Sequence, residues 1–279
     1  MNFLSPILKG IIGVFALLTP LSYSGHEGLI NYVNVDMTGK GYDCILPLII
    51  ELSVISGLIY FLRKDLYEVF CKTGSLLKDI KEKTFDIGTK DFGKKLVFML
   101  LFGCITYIFV PLAKFLTKGI VSYLPVVCAG FLVSGYFVAR AEKVKEKTLK
   151  ESNETILNGI LVAFFYSFSY IPGFSGIGGM YFAGVLSGFR KETAIKYAYF
   201  ITLIFTSISF ICNLVSLGYN EITINYGIFS YIAAFIGGLG ASIGATLLLT
   251  HCVKNKKMTG FVFYNAVIAI ITLIIWIRG

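Results

Sequence analysis

Two short stretches of this chain hold the residue types that handle phosphate. The first is Thr19-Pro20-Leu21-Ser22-Tyr23-Ser24-Gly25-His26, the second Ile171-Pro172-Gly173-Phe174-Ser175-Gly176-Ile177-Gly178-Gly179. Ser22, Ser24 and Ser175 offer hydroxyls, and His26 is a proton-transfer group or nucleophile near neutral pH. Gly25, Gly173, Gly176 and Gly178 let backbone approach a ligand and permit the turns whose N–H groups cradle anions. A helix that starts just after such a loop adds the positive end of its dipole. Two such ends facing each other would bind phosphate or pyrophosphate. Two acids complete the set. Glu27 follows His26, and Glu51 lies midway along an apolar stretch, where a carboxyl is costly and marks a functional hypothesis by default.

Blander readings stand beside these. Glycine-rich contacts are also how membrane helices pack, so Gly178, Gly179 and Gly184 carry both meanings. A lone histidine is more often structural; its place beside two serines in a broken apolar segment turns His26 toward function. Glu51 reads equally as a partner for one of the loops or as a protonated structural acid. Glu27 reads first as an acid turned to solvent at the loop edge. His251 and the lysines at 254–257 read as an ordinary basic loop. The six cysteines are scattered without metal-ligand spacing and read as small buried hydrophobes. No metal-ligand cluster is visible.

The elements that must position these residues follow from composition. The 279 residues are 56% hydrophobic and only 15% charged, with mean hydropathy +0.78, against about 25% charge in a soluble domain. The class is an all-α polytopic membrane protein. Six stretches, near 44–62, 96–113, 120–139, 196–216, 227–250 and 260–277, are long enough to cross about 30 Å of hydrocarbon. Two more apolar regions, 3–32 and 156–188, carry the Pro-Ser-Gly loops in their middles and are predicted to be re-entrant helical hairpins. Residues 3–18 lack the charge pattern and cleavage site of a signal peptide.

Charge orients the chain. Twenty of the twenty-five Lys and Arg fall in 63–95, 140–150, 190–196 and 254–257, whereas 217–226 has none. The basic loops are therefore predicted to be cytoplasmic and both termini outside. The net charge of +9 is explained by an anionic leaflet rather than by nucleic acid. Each half, 1–139 and 151–279, is one hairpin plus three spans. An odd span count inverts the second half, giving an inverted repeat within a single membrane domain, with two broken loops meeting near the midplane.

At these loops the chain resembles the bacterial undecaprenyl-diphosphatase family, also called the bacitracin-resistance protein family. Gly13 to His26 aligns without a gap to its signature EGxTEFLPxSSxGH, and Pro172 to Met180 to PGxSRSGxT. Ile50-Glu51-Leu52-Ser53, the stretch Gly188 to Ala194, and Phe261-Val262-Phe263-Tyr264-Asn265 extend the resemblance over nearly the whole chain. The family fold is the six-span, two-hairpin inverted repeat. The departures are specific. The motif glutamates fall on Gly13 and Leu17, the motif arginine on Gly176 and the serine after it on Ile177. The terminal threonine falls on Met180 and the late arginine on Asn265. Ser22, Ser24, Gly25, His26, Pro172, Gly173, Ser175 and Gly178 survive.

The resemblance implies removal of one phosphate from a polyprenyl pyrophosphate lipid in lipid-carrier recycling for cell-wall synthesis. It implies a place in the bacterial inner membrane, a Mg or Ca ion, a site open to the outer face, and a homodimer. His26, Ser24, Ser22 and Ser175 would then stand near the chemistry. Gly25, Gly173, Gly176, Gly178, Glu51 and Glu27 would bind substrate, with Glu27 or Glu51 replacing the absent acids. The alternatives are a non-catalytic relative that binds or translocates a polyprenyl phosphate, and a paralogue with a smaller substrate. The enzyme reading requires Glu27 or Glu51 within reach of both His26 and Ser175.

Overall fold

The structure, a computed structural model, describes residues 4–33, 43–84, 91–120, 123–145, 155–219 and 222–278, with backbone alone at 31–33. Residue 3 of the first predicted hairpin, 85–90 and 146–150 of the basic segments, and 220–221 of the loop without Lys or Arg lie outside them. The described residues are helical, with no strand. In chain order the helices are α1 (Leu4–Leu18), α2 (Tyr23–Val33), α3 (Ile45–Lys81), α4 (Phe92–Cys104), α5 (Phe109–Thr117), α6 (Leu124–Glu142), α7 (Ile156–Phe164), α8 (Gly176–Leu186), α9 (Lys191–Ser216), α10 (Ile228–Lys254) and α11 (Thr259–Arg278).

Six helical stretches are long and apolar enough to cross a membrane: α3, α4 with α5, α6, α9, α10 and α11. Each covers most of a segment expected from hydropathy. Two differ instructively. The α3 helix runs on to Lys81, well past the expected end at 62. No proline interrupts 63–81, and Leu76 packs with Val97 and Phe98 of α4, so the overhang has an apolar face to bury. Asp91 ties the overhang down. Its Oδ1 accepts from the N–H groups of Gly93 (2.9 Å) and Lys94 (3.3 Å) as the α4 N-cap, while Lys72 Nζ donates to Oδ2 at 2.7 Å. The Lys72 hydrogen bond, helped by those N–H groups, holds the Asp91 carboxyl below the usual carboxylate range. The second difference is a 3₁₀ turn over Ile105–Ile108 between α4 and α5. Pro111 has no N–H to give residue 107, and its ring crowds that carbonyl.

The two segments expected to break do so. Pro20 disfavours helical backbone at Thr19, and α1 stops at Leu18. In the second segment a 3₁₀ turn over Phe165–Tyr170 ends in extended backbone at Ile171, before Pro172. Gly173 then takes φ +84°, a conformation in which a side chain would be strained.

Packing is paired. The α1 helix lies on α10 and α3, α7 on α4, α3 on α9, and α6 on α11, while α8 is set between α6 and α9. Small residues make the α1–α3–α10 crossings close. A Cβ at Gly10 would lie 3.0 Å from the Ala234 carbonyl oxygen, and one at Gly238 would lie 2.7 Å from Ser53 Oγ. Tyr181, Tyr197, Tyr199, Phe131, Phe189 and Phe205 are fully buried between the helices. Large apolar side chains such as Ile105, Ile108, Phe115, Ile236 and Ile270 point outward, as a lipid-facing surface requires.

Candidate functional site

The breaks between α1 and α2 and between Tyr170 and α8 meet in the interior, and each is held by donors from elsewhere. Ser175 Oγ donates to the Thr19 carbonyl at 3.1 Å, Asn265 Nδ2 to Pro20 at 2.9 Å, and Tyr199 Oη to Leu18 at 3.3 Å. In return Ser24 Oγ donates to Ser169 (3.1 Å) and Ile171 (3.3 Å). Ser134 Oγ of α6 donates to Gly173 O at 3.1 Å and accepts from Ser175 N–H at 2.8 Å. Non-helical backbone away from water is tolerated only when its polar groups are satisfied in this way.

The two breaks are capped alike. Ser22 Oγ accepts from Gly25 N–H at 3.0 Å at the start of α2, and Ser175 Oγ from Gly178 N–H at 3.1 Å at the start of α8. Backbone contact between the breaks is close. A Cβ at Gly25 would lie 2.8 Å from Gly173 Cα and 2.6 Å from the Phe131 ring, and one at Gly178 would lie 3.5 Å from Pro20 Cβ.

His26 is fully engaged. Nδ1 lies 2.6 Å from the Ser22 carbonyl, which can only accept, so Nδ1 carries a proton. Nε2 lies 2.6 Å from Tyr264 Oη, and in the neutral ring it accepts from that hydroxyl. The imidazole also meets the Phe131 ring edge-on and stacks on Tyr264. It faces α6 and α11.

A cavity of about 330 Å³ opens on the other side of the loops. Ser24 and Gly176 line it, as do both acids, Glu27 and Glu51. His26, Ser22, Ser175, Gly25, Gly173 and Gly178 do not. They cap and pack the walls behind. The structure therefore brings Ser24, Glu27, Glu51 and Gly176 together on one space, with His26 and Ser175 outside its lining and hydrogen-bonded to other groups, so the expected reach of one acid to both is not seen. Glu27 is turned inward rather than to solvent; Tyr23, one turn earlier, hydrogen-bonds to it, and Lys9 of α1 offsets its charge. Glu51 Oε1 accepts from Ser209 Oγ at 2.7 Å and Asn213 Nδ2 at 2.9 Å, and Oε2 accepts from Asn213 at 3.0 Å.

Several lining residues carried no signal in the sequence. Tyr23, Lys114, Tyr166, Tyr170, Thr202 and Thr206 complete the polar wall. Thr202, Thr206, Ser209 and Asn213 recur at spacings of four, three and four along α9, a helical stripe that was visible in principle. Tyr23 explains one lost acid. The gapless motif alignment corrects one expectation: Tyr23 falls on the second motif serine and Ser24 on a variable position, so Ser24 is not a surviving motif serine; a Cβ at Gly13 would lie 2.9 Å from the Tyr23 ring. The ring fills the space that a side chain at 13 would need. At Gly176, a Cβ would lie 2.9 Å from Ser169 Cβ.

The first turn of α8 supplies further polarity. Ser175 N–H goes to Ser134 and Gly178 N–H to Ser175. The remaining orphan N–H groups, Gly176 and Ile177, belong to the two α8 residues lining the cavity. Tyr23 and Ser24 occupy the same positions of α2 and also line it. The cavity thus receives the positive ends of two helices. A larger cavity of about 550 Å³ lies beside the middle of α3, the starts of α4 and α9 and the end of α10, among Asp65, Arg190, Lys191, Lys196 and Lys254. It touches neither loop, and two of its lysines are already paired, Lys196 with Asp65 and Lys191 with Glu142.

Among the described residues no group of three or more His, Cys, Asp or Glu side chains could hold a metal ion. Glu27 and Glu51 nonetheless offer hard oxygen donors to one cavity. That set suits an ion shared with substrate phosphates, as Mg²⁺ commonly is.

Comparison with known proteins places this geometry. The family model for Bacitracin resistance protein BacA matches residues 6–271. An undecaprenyl-diphosphatase of Methanococcus vannielii is 26% identical over 95% of this chain and 98% of its own length. One of Idiomarina loihiensis is 24% identical over 99% and 100%, and an undecaprenyl-diphosphatase 2 of Halalkalibacterium halodurans 23% over 97% and 95%.

Proposed function

The chain belongs to the Bacitracin resistance protein BacA family, and from that premise we propose that it is a membrane undecaprenyl-diphosphate phosphatase. It hydrolyses polyprenyl pyrophosphate to the monophosphate and recycles the lipid carrier. The observation that carries the reading is the cavity. The first two residues of the broken-segment helix α8, Gly176 and Ile177, line one space together with Ser24, Glu27 and Glu51.

Water attacks the terminal phosphorus and passes a proton to Glu27. The bond from that phosphorus to the bridging oxygen breaks, and that oxygen leaves on the lipid monophosphate. Gly176 and Ile177 N–H groups and the Ser24 hydroxyl hold the phosphate oxygens, so positioning and charge neutralisation do most of the work. His26 holds the α2 start rigid through Ser22 and Tyr264. Glu27 and Glu51 would hold a Mg²⁺ or Ca²⁺ ion together with the substrate phosphates. When bound, the ion neutralises developing charge.

The broken segments are read as re-entrant hairpins in an inverted repeat. The α1–α10 and α7–α4 pairs exchange under that symmetry, the α3–α9 and α6–α11 pairs map onto themselves, and Ser22 and Ser175 are equivalent caps. The cavity lies at the starts of α2 and α3 and the ends of α5 and α9. The Lys/Arg distribution puts those ends on the outer face.

Purified protein in detergent with C55 pyrophosphate and Mg²⁺ should release phosphate. Chelation with EDTA should stop release and added Mg²⁺ or Ca²⁺ restore it. Glu27→Gln should lower kcat by about 10²-fold, and His26→Ala should abolish release. No release above a heat-killed control would sink the hydrolase reading and leave a lipid-phosphate binder.

A further inference from the structure

We propose that Lys114 of α5 is the cation that binds the diphosphate in this cavity, taking the place of an arginine from the second loop. The identity of the ligand rests on the function proposed above; the case for an anion there does not. Donor-bearing side chains outnumber the two carboxyls on the cavity wall, and Gly176 and Ile177, the first two residues of α8, line it. Thr202, whose buried hydroxyl has no hydrogen-bond partner, stands on the same wall. Each carboxyl already accepts from the protein, Glu27 from Tyr23 and Glu51 from Ser209 and Asn213, and keeps lone pairs for an ion shared with the ligand.

Lys114 is placed to answer this surplus. It stands in the last turn of α5 and lines the cavity. Its ammonium lies 5.0 Å from the centre of the Tyr170 ring, which steadies it by cation–π attraction. Its charge also acts on Glu51, a carboxylate on the wall of the same space. The motif arginine is absent because Gly176 occupies its position and Ser169 fills the room beside it. The positive charge enters from α5 instead. A lysine is a compact point charge rather than a bidentate clamp, so it neutralises a phosphate without fixing its orientation.

The test uses purified full-length protein in detergent with farnesyl diphosphate, inorganic pyrophosphate and inorganic phosphate as probes. Lys114→Gln should raise KM for farnesyl diphosphate by about tenfold or more with a smaller change in kcat. The dissociation constant, measured by calorimetry independently of turnover, should rise by the same factor. Lys114→Arg should recover most of the affinity. Lys118→Gln, an exposed lysine one turn on that does not line the cavity, controls for bulk charge and should leave binding unchanged. If Lys114→Gln binds and turns over farnesyl diphosphate like wild type, the assignment of Lys114 fails while the hydrolase reading stands. If wild type releases no phosphate but binds the probe in a Lys114-dependent way, the assignment stands and the hydrolase reading fails. Absence of binding to any probe overturns both. Equal Lys114-dependent affinity for inorganic pyrophosphate supports the site and identifies the free anion, rather than the prenyl lipid, as sufficient.

Discussion

At the scale of single residues, the four side chains best suited to catalysis by type divide into two roles. Ser24 reaches the cavity. Ser22, Ser175 and His26 hold its walls: Ser22 and Ser175 cap α2 and α8, Ser175 also donates to the Thr19 carbonyl, and His26 bridges the Ser22 carbonyl and Tyr264. This division can be measured. Ser175→Ala removes the α8 cap and strands the buried Thr19 carbonyl, at a cost of about 1–3 kcal/mol. It should lower the thermal midpoint, with activity falling in step with folded protein. Ser24→Ala should lower kcat in protein that melts near the wild-type temperature. A Ser175→Ala protein of unchanged midpoint but lost turnover would return that serine to the chemistry. The sequence pointed correctly to a Ser-Gly-rich pair of breaks. It could not say which serines face the cavity, because that depends on which way each half-helix is rotated after Pro20 and Pro172.

At the scale of elements, local signals placed the helices and tertiary contacts set their lengths. Hydropathy found the apolar part of α3 but not its overhang, since nothing in 63–81 alone reports that α4 offers Val97 and Phe98 to pack against. Asp91 is the hinge pin of that arrangement, as α4 cap and as partner of Lys72. Its lowered folded value means that its stabilisation is fully present above the ordinary aspartate range. It is lost as pH falls through the folded value. Wild type should therefore lose midpoint on acidification below pH ~4 more steeply than Asp91→Asn, which keeps a capping oxygen but no charge. Asp91→Ala should be the least stable at neutral pH. Parallel acid profiles for wild type and Asp91→Asn would show that the ion pair contributes nothing.

At the scale of the whole molecule, the proposed function depends on orientation. The cavity gathers the ends of α5 and α9 and the start of α3, which adjoin the loops poorest in Lys and Arg, with the break before α2 behind them. In a background with its other cysteines removed, Lys118→Cys should react with a membrane-impermeant maleimide added outside intact spheroplasts. Cys71, exposed on the α3 overhang, should react only after lysis. The reverse pattern would invert the topology and close the site to outer-face substrate.

The chain by itself determined the number of spans, the places where two apolar segments break, and the family to which those breaks belong. Those properties are local: apolar length, proline and glycine positions and lysine counts act within a few residues of themselves. It also recorded the loss of the motif glutamates and arginine. Only the tertiary structure decided which charged and polar groups share the cavity with those positions. Glu51 and Asn213 are 162 residues apart in the chain and meet across one cavity. Tyr23 fills the room beside Gly13, and Lys114 comes from a helix that no motif marks. Charge acts through space rather than along the chain, so a lost charge can be restored from any element that folds back on the same few ångströms.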